Sequence, residues 1–326
     1  MTPPTPTGSG EGVKEDYPKD WLAFEKRFGT EADCAEYLVK VRWPEGFVCP
    51  GCGGKRAWSI RGGRYKCEHC RRETSVTAGT LFQDSHKPLG FWLRAFWHVT
   101  QAKSGASATD LQRALGLGSY VTAWLWLHKM RRAMVRPGRD RLSGQVEVDE
   151  TYVGGETLGA RGRSGRGKTL VAIAAQIRGR GLGRIRMHCI PNASKVTLQA
   201  FVQQVVEPGS VVYTDGLDSY KGLGALGYQH EVYILKGRGP SAATELLPRV
   251  HLVASLLKRW LLGTHQGAVR PAHLDYYLDE FTFRFNRRAS ASRGLLFYRL
   301  VQQALSVRPI AGSTIFGGKP PPHPNL

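Results

Sequence analysis

Four cysteines fall in two C-x-x-C pairs, Cys49-Pro50-Gly51-Cys52 and Cys67-Glu68-His69-Cys70, with fourteen residues between the pairs. Two such knuckles at this separation turn four thiolates toward one tetrahedral ion, the pattern of a zinc ribbon. Cys49, Cys52, Cys67 and Cys70 are therefore expected to hold one structural Zn²⁺, in a shell that is complete without His69. Redox dithiols are the weaker reading, because no thioredoxin-like βαβ pattern surrounds the pairs. A second constellation is oxygen-rich. Asp149 stands in the apolar run 146–153, read as a strand carrying one acid inward, where a carboxylate is costly unless a bound cation offsets its desolvation. Asp215 closes the apolar run 211–214 after 65 intervening residues, and His251 follows after 35 more on a helical segment. Two strand-end aspartates and a third group on a nearby helix suit phosphodiester chemistry by two divalent ions about 3.5–4 Å apart. In that chemistry one ion activates a water or 3′-hydroxyl and the other stabilises the leaving oxygen. Lys258, two turns beyond His251 on nearly the same helix face, is placed to hold a DNA phosphate.

Charge supports a nucleic-acid partner. The 326 residues carry 46 Lys and Arg against 26 Asp and Glu, a formal net charge of +20. That excess points to a polyanion, and DNA is the first candidate. No run of 18 apolar residues exists and no signal-peptide core precedes the first helix, so no membrane role is expected. The chain reads as cytoplasmic and nucleoid-associated, a reducing setting in which paired cysteines favour metal over disulfides.

The elements that must position these residues follow in order. Residues 1–18 are rich in Pro, Gly and Thr and read as a disordered tail. Residues 19–80 read as a helix plus the zinc ribbon, with Thr30 as a helix N-cap and Cys34 as a small packed hydrophobe. Residues 81–143 read as a helical, helix-turn-helix-like segment. Leu89, Trp92, Leu93, Phe96 and Val99 form its core stripe, and helices over 108–117 and 121–134 flank a Gly-containing turn. Lys129, Arg131 and Arg132, toward the end of the second helix, are expected to contact DNA. Residues 144–306 read as an α/β domain. Strands at 146–152, 169–177, 184–190 and 211–214, with a helix near 195–206, suggest the mixed sheet of an RNase H-like fold. A long amphipathic helix through Leu274, Tyr277, Leu278, Phe281 and Phe285 is expected to cover that sheet. Residues 307–326 read as a tail.

One motif misleads. Residues 162–169 satisfy the Walker A pattern letter for letter, yet a working phosphate loop must open a helix, and the residues after it are strand-like. The better reading is a basic hairpin whose Arg163, Arg166 and Lys168 reach a DNA backbone, as Lys258 and Arg259 do from the later helix.

As an ordered set the motifs become specific. They run from Trp43-Pro44-Glu45-Gly46-Phe47-Val48-Cys49-Pro50-Gly51-Cys52 to Val148-Asp149-Glu150-Thr151-Tyr152-Val153-Gly154-Gly155 and Tyr213-Thr214-Asp215. Ser255-Leu256-Leu257-Lys258-Arg259-Trp260, Tyr277-Leu278-Asp279-Glu280-Phe281 and Phe285-Asn286-Arg287-Arg288 follow. Over about residues 20–305 the chain resembles bacterial insertion-sequence transposases of the ISXO-like group, which join an N-terminal zinc ribbon to a DDE-type RNase H-like domain. The resemblance implies a DNA transposase catalysing metal-dependent cleavage and strand transfer, with Mg²⁺ or Mn²⁺ as catalytic ions. It implies double-stranded DNA partners, both terminal inverted repeats and target DNA, and a homo-oligomer on DNA. Asp149 and Asp215 match the first two acids of the triad, and Lys258 the basic residue after the third. The third position departs from the commoner pattern: the register of Lys258 puts His251 there, and Glu245 upstream is the alternative ligand. Imidazole suits Mn²⁺ better than Mg²⁺. The competing function is a zinc-ribbon DNA-binding regulator derived from an inactive transposase, and metal-dependent end cleavage separates the two.

Overall fold

The computed structural model describes residues 15–136, 138–154, 168–233, 245–267 and 269–317. Most of the expected N-terminal tail, Arg163, Arg166 and most of the Walker-like run lie outside them. The chain forms two compact units. One takes the chain through Lys103, then Thr109–Tyr120 and Ser290–Ile310; the other takes Ser104–Ala108, Val121–Ala289 and the segment from Ala311. Among the described residues no helix is long and apolar enough to cross a membrane.

The first unit opens with α1 (Trp21–Arg27) and α2 (Glu31–Arg42). Thr30 caps α2 as expected, and Asp33 returns the bond to the Thr30 amide at 3.0 Å, closing a capping box. The ribbon follows as three short antiparallel strands, β1 (Ala57–Ile60), β2 (Arg64–Cys67) and β3 (Glu73–Ser75). Its last strand is tied to α2 by Arg42, whose guanidinium donates to the carbonyls of Ser75, Val76 and Ala78 at 3.1, 2.6 and 2.7 Å. Next, α3 (Leu89–Gln101) buries Trp92, Leu93, Phe96 and Val99 of the stripe read as core, with Leu89 half-buried, and α4 (Ala108–Leu115) follows. An aromatic cluster closes this unit. Phe297, from the late helix Arg293–Ser306, lies 5.7 Å from Phe24 and 5.6 Å from Trp97 between ring centroids. Edge-to-face rings at that spacing add attraction beyond area burial. A chain segment far along the sequence thus completes the N-terminal core.

The second unit is built on a five-stranded mixed sheet. The strands β4 (Gln145–Val153), β5 (Thr169–Arg178) and β6 (Gly181–Ile190) form an antiparallel meander. Beside β4, β7 (Val211–Asp215) and then β8 (Gln229–Tyr233) run parallel, giving the order β6-β5-β4-β7-β8. The mixed sheet expected of an RNase H-like domain is present, with β8 as a fifth strand that was not expected. Because strand side chains alternate, two cores result. Val146, Val148, Ala172, Ala174 and Val212 pack with α6 (Lys195–Val205) on one face. Val153, Val171, Ile173, Ile185 and Met187 pack with α7 (Pro248–His265) and α8 (Leu274–Asn286) on the other. Both ends of α8 bind the backbone of the edge strand β6. Asp275 accepts from the Cys189 amide at 3.0 Å, and Asn286 exchanges two bonds with Ile185 at 2.7 and 3.1 Å. Those contacts occupy backbone groups that an open edge would present to another chain.

Candidate metal centres

The cysteine knuckles are two copies of one local device. The Cys49 amide donates to Gly54 O and accepts the Gly53 amide on its own carbonyl, each at 2.9 Å. Cys67 repeats this with Arg72 and Arg71, at 2.9 and 3.0 Å. Each turn needs a left-handed residue at the same place, supplied by Gly53 (φ 74°) and by Arg71 (φ 61°). The turns bring the four sulfurs within 4.8 Å of one another. Cys49 Sγ lies 3.6 Å from Cys70 Sγ, and Cys52 Sγ 3.7 Å from Cys67 Sγ. A disulfide would need about 2.0 Å, whereas a tetrahedron with Zn–S bonds of about 2.3 Å has edges of about 3.8 Å. The donor set fits Zn²⁺, and His69 is not part of it. Cys34 stays buried and apart on α2, where burial pushes its thiol up to about 11.

The residues of the expected oxygen-rich set lie about the β4–β7–α7 junction, more loosely gathered than the four cysteines. Glu147 pairs with Tyr213 in the parallel β4–β7 ladder. Two residues further along each strand, Asp149 and Asp215 reach the same level, and strand alternation sends both to the α7 face. The Leu217 amide donates to one Asp215 oxygen at 3.1 Å, turning the chain just past the strand. From the first turns of α7, His251 Nε2 comes within 3.7 Å of Asp149 Oδ2, their side chains 28% and 15% exposed. That is too long for a hydrogen bond, and His251 Nε2 is buried without a hydrogen-bond partner. Burial lowers the His251 pKa first of all and Lys258 adds to that, while Glu147 and Asp215 oppose, a balance that favours the neutral ring. With its proton on Nδ1, a neutral imidazole turns a lone pair toward the carboxylate. Such a donor set fits a divalent cation. Lys258 belongs to the same field: burial lowers its pKa, Lys168 lowers it further and Asp149 opposes. Glu245, the alternative ligand, is exposed ahead of α7.

The expected set needs two revisions. The strand carries two acids toward α7, since Glu147 is 2% exposed on the same side as Asp149. Period-2 alternation from Asp149 was signal enough to find it. Arg131, read as a DNA contact, is 1% exposed in α5 (Tyr120–Ala133) and pairs with the fully buried Glu280 at 2.8 Å. The Arg284 guanidinium meets the other Glu280 oxygen at 2.8 Å. Burial alone would raise the Glu280 carboxyl, but Arg284 and Arg131 hold it at about 2. A guanidinium committed to that network has no face left for a phosphate. Lys129 and Arg132 are half-buried on α5, Lys168 is half-buried at the start of β5, and Lys258 and Arg259 are exposed on α7. On the opposite sheet face Glu150 accepts from the Tyr220 hydroxyl at 2.8 Å, and burial raises its carboxyl.

The transposase zinc-ribbon domain family matches residues 29–73, and the ISXO2-like transposase domain family matches residues 141–286. A protein of transposable element ISH50 from Halobacterium salinarum, itself uncharacterised, is 29% identical over 280 residues, spanning 79% of this chain and 92% of that protein. A simian T-cell lymphotropic virus intasome, solved by electron cryomicroscopy with the PP2A regulatory subunit B56 gamma, aligns at 14% identity. That alignment covers 58% of this chain and 66% of that one with a TM-score of 0.29, too loose a superposition to build on. The two domain matches fall in the order expected from the sequence: the chain carries a transposase zinc-ribbon domain followed by an ISXO2-like transposase domain.

Proposed function

We propose that the protein cleaves DNA at the ends of an insertion sequence and joins those ends to target DNA, with Asp149, Asp215 and His251 as ligands for Mg²⁺ or Mn²⁺. The carrying observation is the face-to-face placement of a carboxylate oxygen and a buried ring nitrogen 3.7 Å apart, with that nitrogen unbonded. With the ring proton on Nδ1, two electron-pair donors so placed repel one another unless a cation lies between them. Bound there, a pair of divalent ions would activate the attacking water or 3′-hydroxyl and stabilise the leaving oxygen. The chain's own groups do the rest. Asp149 and Asp215 supply the negative charge, and His251 supplies a neutral donor that favours Mn²⁺ over Mg²⁺. Lys258 steers a phosphate toward the carboxylates, and Arg259 and Lys168 extend that basic track; Lys129 and Arg132 are further contacts, as are Arg163 and Arg166 on the strength of the sequence alone. A net charge of +20 supports double-stranded DNA as the partner. Terminal repeats come in pairs, which supports a homo-oligomer acting on both ends.

The test separates chemistry from binding. Asp149→Asn and Asp215→Asn, made singly, should shift end DNA on a gel as the wild type does and give no nicked or joined product in Mg²⁺ or Mn²⁺. Cleavage by either variant at the wild-type rate overturns the reading. A wild type that binds ends and never cuts them leaves the regulator in its place.

A further inference from the structure

We infer that Glu147 is a positioning residue that sets the catalytic helix against the catalytic strand, an inference that rests on Asp149 and His251 being metal ligands. The start of α7 lacks an ordinary cap. Leu247 occupies the N-cap with no side-chain hydrogen bond, and Pro248 at the first helical position has no N–H to satisfy. The next two amides, of Arg249 and Val250, donate to Glu147 Oε2 at 2.8 and 3.0 Å. The Arg249 guanidinium takes the other oxygen, Oε1, at 2.9 Å. A strand carboxylate about a hundred residues away in the chain therefore does the work of an N-cap, and its charge opposes the positive end of the helix dipole. With three donors and 2% exposure, Glu147 is committed to α7.

The arrangement matters because of what lies beside it. Glu147 and Asp149 are next neighbours on one face of β4, about 6.7 Å apart along the strand. Arg249, Val250 and His251 are consecutive on α7. Two parallel ties thus run from strand to helix, one from Glu147 to the amides of residues 249 and 250, the other between Asp149 and His251. Only the first is made of hydrogen bonds. It fixes the rotation and height at which His251 meets Asp149, and it carries Lys258, on the same helix, in the same rigid body. Capping alone would stabilise α7; capping from this strand also sets the width of the gap a cation must fill.

The experiment uses the full-length, zinc-loaded protein and two variants. Glu147→Gln removes the charge and one strong acceptor, while Arg249→Ala, at a residue with its side chain partly in solvent, leaves the carboxylate on the helix amides. Hydrogen exchange of residues 248–258 and Mn²⁺ binding, followed by the paramagnetic signal of free Mn²⁺, are read without DNA. Glu147→Gln should speed exchange in 248–258 and weaken Mn²⁺ binding by roughly tenfold each, the scale of losing a charged hydrogen-bond partner, and Arg249→Ala by about two- to threefold. Faster exchange with unchanged Mn²⁺ affinity in both variants would reduce Glu147 to a cap and overturn the positioning role. Unchanged exchange would overturn the cap itself. Should Glu147→Gln fail to fold, Arg249→Ala decides by the same two readouts. Mn²⁺ binding that survives Asp149→Asn would instead remove the catalytic reading, and the positioning role with it.

Discussion

The zinc ribbon draws its four ligands from 22 consecutive residues, whereas Asp149, Asp215 and His251 are gathered from a span of 103. In the ribbon each pair of thiolates is oriented by a turn that uses only its own backbone, and one short strand pairing brings the two turns together. At the second centre nothing is local. Strand pairing sets Asp149 level with Asp215, and a capped helix start delivers His251. Closure differs as well. Among the described residues only the cysteines bring three or more ligand atoms within 4.8 Å of one another. A tight closed shell suits one structural ion, and a looser set leaves positions for water and substrate oxygens. The cysteine set is local and closed; the set proposed for reaction is long-range and open.

The contrast predicts opposite consequences of losing metal, and this is the largest effect expected. Changing both Cys67 and Cys70 to Ser, or stripping zinc with a strong chelator, should unfold residues 49–75, since structural zinc contributes on the order of 10 kcal/mol to such folds. Far-ultraviolet dichroism should change and hydrogen exchange over those residues should become fast. A magnesium chelator should leave both readouts untouched, because the second centre sits on a sheet with cores on both faces. A ribbon that stays protected without zinc would erase the comparison.

His251 sharpens it next. His251→Ala should cut strand cleavage by about a hundredfold or more in Mn²⁺, the scale of losing one metal ligand or its partner. His251→Glu should recover activity and shift preference toward Mg²⁺, an ion that selects oxygen. Glu245→Ala should have little effect. Full turnover by His251→Ala with loss in Glu245→Ala would reassign the third ligand and move the centre's helix contribution upstream.

The same division explains what could be read from sequence. The knuckles, the Thr30 capping box and the strands from Val146 to Asp215 are written in short-range patterns: C-x-x-C spacing, T-x-x-D, and apolar runs bounded by glycine. The fold class followed from them. Strand β8 escaped notice because Gln229-His230-Glu231-Val232-Tyr233 is a polar edge with no apolar alternation. Helix Arg293–Ser306 has an ordinary amphipathic pattern, and nothing in that pattern says its Phe297 completes a core begun by Phe24. Arg131 looked like any basic residue near a helix end until its partner Glu280, 149 residues away, was in place. Glu147 sits two residues from Asp149 in a run of three acids, and only the helix laid across the strand distinguishes the roles.

The smallest effect lies inside the ribbon, at the left-handed position where its two knuckles carry different residues. Gly53 and Arg71 both adopt left-handed φ values, 74° and 61°. A Cβ on Gly53 would meet nothing within 4 Å, so Gly53→Ala tests conformation alone. It should cost about 1 kcal/mol, the penalty of an L-residue in that region. Arg71 already bears the strain, yet its guanidinium lies over the exposed Trp58 ring, 4.8 Å from the centroid. Such an exposed cation–π contact contributes about 0.5–1 kcal/mol. Arg71→Gly therefore relieves one term and loses another of similar size, and its net effect should fall within about 0.5 kcal/mol of zero. Zinc release to a colorimetric chelator during denaturant titration reads both. If the turns alone set ligand geometry, Gly53→Ala should release zinc at lower denaturant and Arg71→Gly at nearly the wild-type midpoint. Equal and large losses in both would mean that the Trp58 contact, not the turn, orders the second knuckle, and that even this local centre depends on a neighbour across the sheet.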